Sequence, residues 1–218
     1  MSLHWKPAQP PRRMALDGSL VRLEPLDVAG HGGQLFAAQS GAPELWDYLP
    51  YGPFENESVF RTWLTERAST SDPLFYAIVD RASGRALGMA SFLRMEPEHG
   101  VIEVGHIWYS PALQRTRHAT EAMYVMARHA FDDLGYRRYE WKCNALNEPS
   151  RRAALRLGFT FEGVFRQHMV IKDRNRDTAW YSMLNSEWPA SKAAFEAWLR
   201  PENFDTDGRQ LRSLAELR

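Results

Sequence analysis

The sequence predicts an α/β protein of the mixed, α+β kind, and three observations predict it. Strand-like apolar runs come in clusters instead of alternating strictly with helices. A hairpin-rich first half stops at Tyr109-Ser110-Pro111. One strongly periodic helix then leads into a further strand, the pattern of a single strand–helix–strand crossover.

The elements follow in order. Residues 1–19 hold Pro7, Pro10 and Pro11 without an apolar signal core, and read as an irregular N-terminal arm. Leu20–Glu24 alternates apolar and polar residues as a first strand does. Val28–Gln39 is a weak helix, carrying Gly30, Gly32 and Gly33, and Pro43–Phe54 is loop or short helix. Glu57–Ala68 is a better helix, with Phe60, Trp63 and Leu64 on one side. Phe75–Val79 and Ala86–Met95 form a hairpin around Ser83-Gly84, and Val101–Tyr109 is the next strand.

Ala119–Leu134 is the strongest helix. Ala119, Met123, Met126, Ala127, Ala130, Phe131 and Leu134 recur at three- and four-residue spacing, and Glu121, Arg128, Asp132 and Asp133 fall on the other side. Arg138–Cys143 is a strand, and Ser150–Leu157 a short helix ended by Gly158. Phe159–Arg166 and Thr178–Leu184 read as strands around a charged turn, Lys172–Asp177. Ser191–Leu199 is a closing helix, and Asp205–Arg218 a loose charged tail with one short amphipathic turn. The expected organisation is an arm at 1–19, one domain at 20–187, and a C-terminal helix and tail at 188–218.

Composition narrows the function. Hydrophobic residues make up 44% and charged residues 25%, which is ordinary for a globular chain, and 218 residues suffice for a full core. Lys+Arg and Asp+Glu balance at 27 each, so no overall basic field draws the chain to nucleic acid or an anionic membrane. The pairs Arg137-Arg138 and Arg151-Arg152 are too short to make one. No apolar run approaches the ~18 residues of a membrane span. Cys143 stands alone, which excludes an intrachain disulfide and a zinc site built from cysteines. The expectation is a cytoplasmic protein with no metal, nucleic-acid or membrane partner. Oligomeric state, a homodimer included, stays open. The eight tryptophans serve packing or line a ligand cleft.

One segment carries a resemblance. The strand Val101–Tyr109 ends in Ser110-Pro111, and the turn Gln114-Arg115-Thr116-Arg117-His118-Ala119 leads into Thr120-Glu121-Ala122. Asn147-Glu148-Pro149-Ser150 and Gly158-Phe159 follow. This run resembles the acetyl-coenzyme A core of the GNAT N-acetyltransferases, and within them the RimJ/RimL-like branch that acetylates ribosomal-protein N-termini. The similarity spans residues 20–187 and is most specific from Gly105 to Phe165. It departs from the family at Arg117, where a glycine is usual. The implied fold is a central, mostly antiparallel sheet of about seven strands with a splayed parallel pair, flanked by helices. The implied cosubstrate is acetyl-CoA.

The resemblance also assigns residues. The turn Gln114, Arg115, Thr116, Arg117, His118, Ala119 and Thr120 would hold the pyrophosphate. A helix start offers unpaired N–H groups to an anion, and Arg115, Arg117 and His118 add cations to it. The backbones of Ile107, Trp108 and Tyr109 would face the pantetheine arm, with Asn147 bonding its amides. Ser150 would protonate the leaving thiolate, or cap the helix it begins, or do both. A backbone N–H near Trp108 would hold the thioester oxygen. Cys143 falls near the thioester, where it is a small buried residue or, less simply, a nucleophile.

The base is open. Glu103 and His106 lie on the strand beside the presumed cleft, three residues apart, so regular alternation sends them to opposite faces. Glu140 and Lys142 point away from Trp141 and Cys143 and receive no role. Arg176 and Asp177, in the turn before the last strand, are candidates for binding the substrate amine. Trp46, Tyr48, Tyr51 and Phe54, mixed with Glu44, Asp47, Glu55 and Glu57, would suit a cationic amine or simply pin a surface loop. The expected activity is acetyl transfer to a primary amine, on a protein N-terminus or a small molecule, by direct attack in a ternary complex. Its rival is a catalytically lapsed acyl-CoA-binding sensor or interaction module, kept alive by Arg117.

Overall fold

A computed structural model describes residues 4–218, so the first three residues of the N-terminal arm lie outside the described chain. The strands are β1 (Leu16–Asp17), β2 (Val21–Pro25), β3 (Leu74–Asp80), β4 (Ala86–Glu96), β5 (Val101–Tyr109), β6 (Arg138–Asn144), β7 (Thr160–Ile171) and β8 (Arg174–Leu184). Among the described residues they make one eight-stranded sheet in the order β1-β2-β3-β4-β5-β6-β8-β7. Every neighbouring pair is antiparallel except β5 and β6. The eighth strand is β1, whose two residues are too few to show a period.

The helices are α1 (Val28–Gln39), α2 (Glu57–Ser69), α3 (Arg117–Arg128), α4 (Glu148–Leu157) and α5 (Trp188–Leu199). They build two hydrophobic clusters, one on each face of the sheet. In β3, Leu74, Tyr76 and Ile78 enter the cluster with α3 and α5, while Phe75, Ala77 and Val79 enter the one with α1 and α2. Alternate side chains of a strand face opposite ways. With both faces covered, β3 is therefore buried and free of charge from Leu74 to Val79.

Helix starts follow local chemistry. Asp27 caps α1 by accepting the Gly30 N–H at 2.6 Å, and Asn56 caps α2 by accepting that of Val59 at 3.0 Å. The cap of α4 is Asn147, which accepts the Ser150 N–H at 3.1 Å. This corrects the expectation that Ser150 itself caps the helix. Gly158 ends α4 at φ 100°, a left-handed conformation that glycine adopts without steric cost.

The structure overturns three further expectations. Glu121 does not face solvent: it is 4% exposed, and its carboxylate accepts the N–H groups of Ser19, Leu20 and Val21 at 2.9, 2.6 and 2.8 Å. The β1–β2 turn lies against α3 there, so that helix is buried all round from Ala119 to Ala127. The last hairpin is longer than its charged residues suggest. Its turn is Lys172-Asp173 alone, with φ of 49° and 57°, the left-handed pair that suits the twist of a two-residue hairpin. Arg176 and Asp177 therefore lie inside β8.

The C-terminal tail is not loose either. Leu214 is 1% exposed in the same cluster as Ala8 of the arm and Trp198 of α5, and Arg218 donates to the Arg156 carbonyl at 2.7 Å. The arm, the sheet and the tail share that core. Among the described residues, no helix is long and apolar enough to cross a membrane.

Glu121→Ala strands three N–H groups without their acceptor. It is expected to lower stability by about 3 kcal/mol or more, read as a fall in the urea midpoint at unchanged m-value.

Candidate active site

The site begins with a misfit between two strands. Met89 of β4 faces Trp108, but Ser91 faces Gly105, so β5 has three steps where β4 has two. The extra residue makes a β-bulge, with His106 in the left-handed region at φ 50°. Gly88 keeps the strands close here, because a Cβ on it would sit 2.5 Å from the Trp108 carbonyl oxygen. On its other side β5 pairs with β6 from Val101–Arg138 to Val104–Trp141 and no further. β6 stays with β8 as far as Asn144, and the two parallel strands part.

A cleft of about 220 Å³ lies at the parting. Residues 103–107 of β5 and 141–144 of β6 line it, with residues 48–50 beside them and Met169, Ile171 and Arg176 from the β7–β8 hairpin. Asn147 and Ser150 complete it. Two long-range bonds hold its borders. Lys172 at the hairpin tip donates to the Trp46 carbonyl at 2.9 Å, and the Tyr48 hydroxyl donates to that of Leu146 at 3.2 Å.

Glu103 and His106 both line this cleft, contrary to regular alternation, because the bulge shifts parity by one residue. Glu103 is held by two cations: Arg94 Nη1 at 2.8 Å and Lys142 Nζ at 2.9 Å, both on Oε2. Lys142 also meets Glu140 at 2.7 Å and lies 3.9 Å from the centre of the Trp180 ring. Sequence reasoning missed this network. The available signal was a lysine and a glutamate alternating inside a central strand, where unpaired charge is costly.

His106 is neutral near pH 7. Burial, with the positive charges of Arg67, Arg94 and Arg176, lowers its pKa to about 4. Its Nδ1 lies 2.8 Å from the Tyr51 hydroxyl, and its ring stacks on Tyr51 and tilts against Phe75. Burial pushes the Tyr51 phenol far above its ordinary value, so it keeps its proton.

Ser150 has an ordered partner. The indole Nε1 of Trp141 donates to Ser150 Oγ at 3.0 Å, which fills an acceptor position and leaves the hydroxyl to act as a donor. Burial pushes the Cys143 thiol up, against a smaller pull from the Ser150 hydroxyl, so Cys143 rests as a thiol and not a thiolate nucleophile.

At the other end, Thr116 caps α3, accepting the Ala119 N–H at 3.1 Å, and the first helical N–H groups have no partner within the helix. The Tyr109 hydroxyl donates to the Ala119 carbonyl at 3.3 Å, and Gln114 Nε2 to the Tyr109 carbonyl at 3.1 Å, tying the strand end to the helix start. Thr120 accepts from Arg156 at 3.1 Å. Arg115 is exposed at φ 60°. His118 sits 3.4 Å from Asp80. Arg117 turns away from the helix start, donating to the Leu199 carbonyl at 2.7 Å and covering the Phe204 ring at 4.3 Å.

Of the other predicted residues, Ile107 lines the cleft, while the Trp108 side chain is buried, stacked on Trp46 at 5.4 Å. Trp46 and Phe54 are core residues, and none of Glu44, Asp47, Glu55 and Glu57 lines the cleft. The expected acidic wall is absent from the cleft lining because the segment packs Trp46, Tyr51 and Phe54 inward and leaves Glu44, Asp47, Glu55 and Glu57 exposed. Asp177 is outside the cleft as well, accepting from Gln167 N–H and Asn175 at 2.7 and 3.0 Å.

A mixed sheet whose one parallel pair parts beside a helix start is the acyltransferase architecture expected from the resemblance. The acetyltransferase (GNAT) domain matches residues 21–160, and the chain belongs to the GNAT family of acetyltransferases. It is 50% identical to a GCN5-related N-acetyltransferase from Brucella melitensis, whose solved structure matches with a TM-score of 0.96 over 98% of each chain. A GNAT-family structure from Chromobacterium violaceum is 46% identical, with a TM-score of 0.82 over 87% of this chain and 96% of that one. The ribosomal-protein-serine acetyltransferase of Escherichia coli is 30% identical over 98 residues, 45% of this chain and 54% of that protein. The chain spans 54% to 61% of the length of the curated relatives it matches.

The depressed His106 pKa has a consequence for stability. An unfolded histidine protonates near pH 6.5, and this one near 4, so between those values the unfolded chain binds more protons. The stabilising contribution is complete above pH 6.5 and is lost as pH falls toward 4. Between pH 7.5 and pH 5, wild type is expected to lose about 2 kcal/mol more than His106→Asn, a residue that tolerates positive φ. Urea unfolding at the two pH values measures the difference, and equal losses would contradict it.

Proposed function

We propose that this protein transfers an acetyl group from acetyl-coenzyme A to a primary amine by direct attack in a ternary complex. The observation that carries the reading is the parted β5–β6 pair, with a capped helix start at one end and a proton-bearing Ser150 at the other. Acetyl-CoA supplies the activated acyl thioester. The residues present fit it. Beyond Val104, the β6-facing backbone of β5 has no strand partner and suits an extended arm bearing amides. The α3 start with exposed Arg115 suits a pyrophosphate.

The chain's own groups then divide the work. Asn147, fixed as the α4 cap through its oxygen, keeps its amide N–H₂ for the arm. A backbone N–H in the bulge near Trp108 holds the oxygen that gains charge. Ser150 gives its proton to the departing sulfur, the attacking nitrogen loses its extra proton to solvent as the amide forms, and Ser150 regains one from solvent. The Trp141 N–H steadies Oγ while the proton is away, which lowers the cost of donation.

His106 is too weak a base to strip an ammonium unaided. The cations that depress its pKa also disfavour a protonated amine in the cleft, so the amine sheds its proton to water on entry. Neutral His106, with Tyr51 engaged at Nδ1, leaves Nε2 to orient the nitrogen. Glu103 keeps Lys142 and Arg94 in place.

Thiol release from acetyl-CoA across a panel of amines tests the reading. Ser150→Ala is expected to lower kcat about 100-fold with little change in acetyl-CoA affinity, and Trp141→Phe to fall between it and wild type. Arg115→Ala is expected to weaken acetyl-CoA binding about 3- to 10-fold, whereas Arg117→Ala, away from the helix start, shifts it less than about twofold. Acetyl-CoA binding without turnover of any amine would favour the lapsed sensor.

A further inference from the structure

The charges lining the cleft restrict the acceptor. They are three cations, Arg94, Lys142 and Arg176, and one anion, Glu103. Glu103 Oε2 already answers both Arg94 and Lys142, and Lys142 has Glu140 as a second partner. Among the described residues, Arg176 has no carboxylate at ion-pair distance. Its Nε is buried without a hydrogen-bond partner, and Glu103, the carboxylate whose field it feels, is shared out between Arg94 and Lys142. A guanidinium held in a half-buried cleft without an anion is a fork shaped for a carboxylate.

The position is suited to an acceptor. Arg176 faces Met169 across the β7–β8 hairpin, and its field reaches His106 on one side and Cys143, beside Ser150, on the other. It is therefore near the groups proposed to orient the amine and to release the thiol. The carboxylates of the 44–57 segment are not in the lining, so nothing there neutralises an acceptor with several positive charges. A polyamine or an aminoglycoside would bring like charge to a cationic wall, at a cost.

We infer that the acceptor, on the acetyltransferase reading above, is a primary amine carrying a carboxylate a few bonds from its nitrogen, and that Arg176 binds that carboxylate. One carboxylate chemistry has two sources: the α-carboxylate of a free amino acid, or an acidic side chain near a peptide N-terminus.

Matched acceptor pairs test the inference on the acetyl-CoA-saturated protein. Serine against serinamide probes the α-carboxylate, Ser-Glu amide against Ser-Gln amide probes the acidic side chain, and spermidine is the cationic comparison. Wild type is expected to favour the carboxylate-bearing member of one pair about 10- to 100-fold in kcat/KM, and which pair identifies the source. Arg176→Gln is expected to bring that ratio to within about twofold, mainly through KM, and Arg176→Lys to keep part of it.

Equal rates within both pairs, spermidine as the best acceptor, or a preference that survives Arg176→Gln would overturn it. If no amine is acetylated, the acetyltransferase reading fails by itself. Calorimetric titration of the same pairs into wild type and Arg176→Gln then decides: tighter binding of a carboxylate member, lost in the variant, supports the inference, and equal affinities overturn it.

Discussion

The parting of β5 from β6 is the constraint on which the rest of the molecule depends. Backbone N–H and C=O groups away from water need partners, and a strand that leaves its neighbour exposes a row of them. Here the departure has a local cause. The bulge at His106 bends β5 with β4, while β6 remains in register with β8 to Asn144. The gap opens through the sheet, which is why Lys142 and Cys143, on opposite faces of β6, both line one cleft.

Packing on both faces holds the gap open. On one side Trp46 stacks on Trp108 and takes the Lys172 bond from the hairpin tip, so the loop, the bulged strand and the hairpin share one anchor. On the other, Trp141 packs into the α3 cluster and presents its N–H to Ser150. The charges are arranged to match. Glu103 lies between two cations on the cleft surface, and burial, with the charges of Arg67, Arg94 and Arg176, keeps His106 neutral. Fold stability and site electrostatics therefore rest on the same side chains.

Much of this was legible in the sequence. The 3.6 period placed α3, the Ser83-Gly84 turn placed the β3–β4 hairpin, and the Asn147–Ser150 motif marked the start of α4. The bulge was not legible by alternation, which assumes an unbroken register. Gly105 inside a strand was the available signal, since glycine there marks a bulge or a close backbone approach. Glu121 was misread because helix amphipathicity cannot show a turn from 100 residues earlier in the chain packing on the polar side. The tail was misread because charge outweighs Leu214 and Leu217 in composition, whereas burial is decided by where those two residues land. The departure at Arg117 finds its account in Leu199 and Phe204, contacts no local motif encodes.

Backbone hydrogen exchange with and without acetyl-coenzyme A tests the central claim most directly, because the claim concerns which backbone groups lack partners. Protection on binding is expected in residues 105–109 of β5 and in 116–120 at the start of α3, with little change in β2 and β3. Binding that left residues 105–109 unprotected, or that protected only the outer hairpin of β7 and β8, would contradict the placement of the acyl carrier between the parted strands.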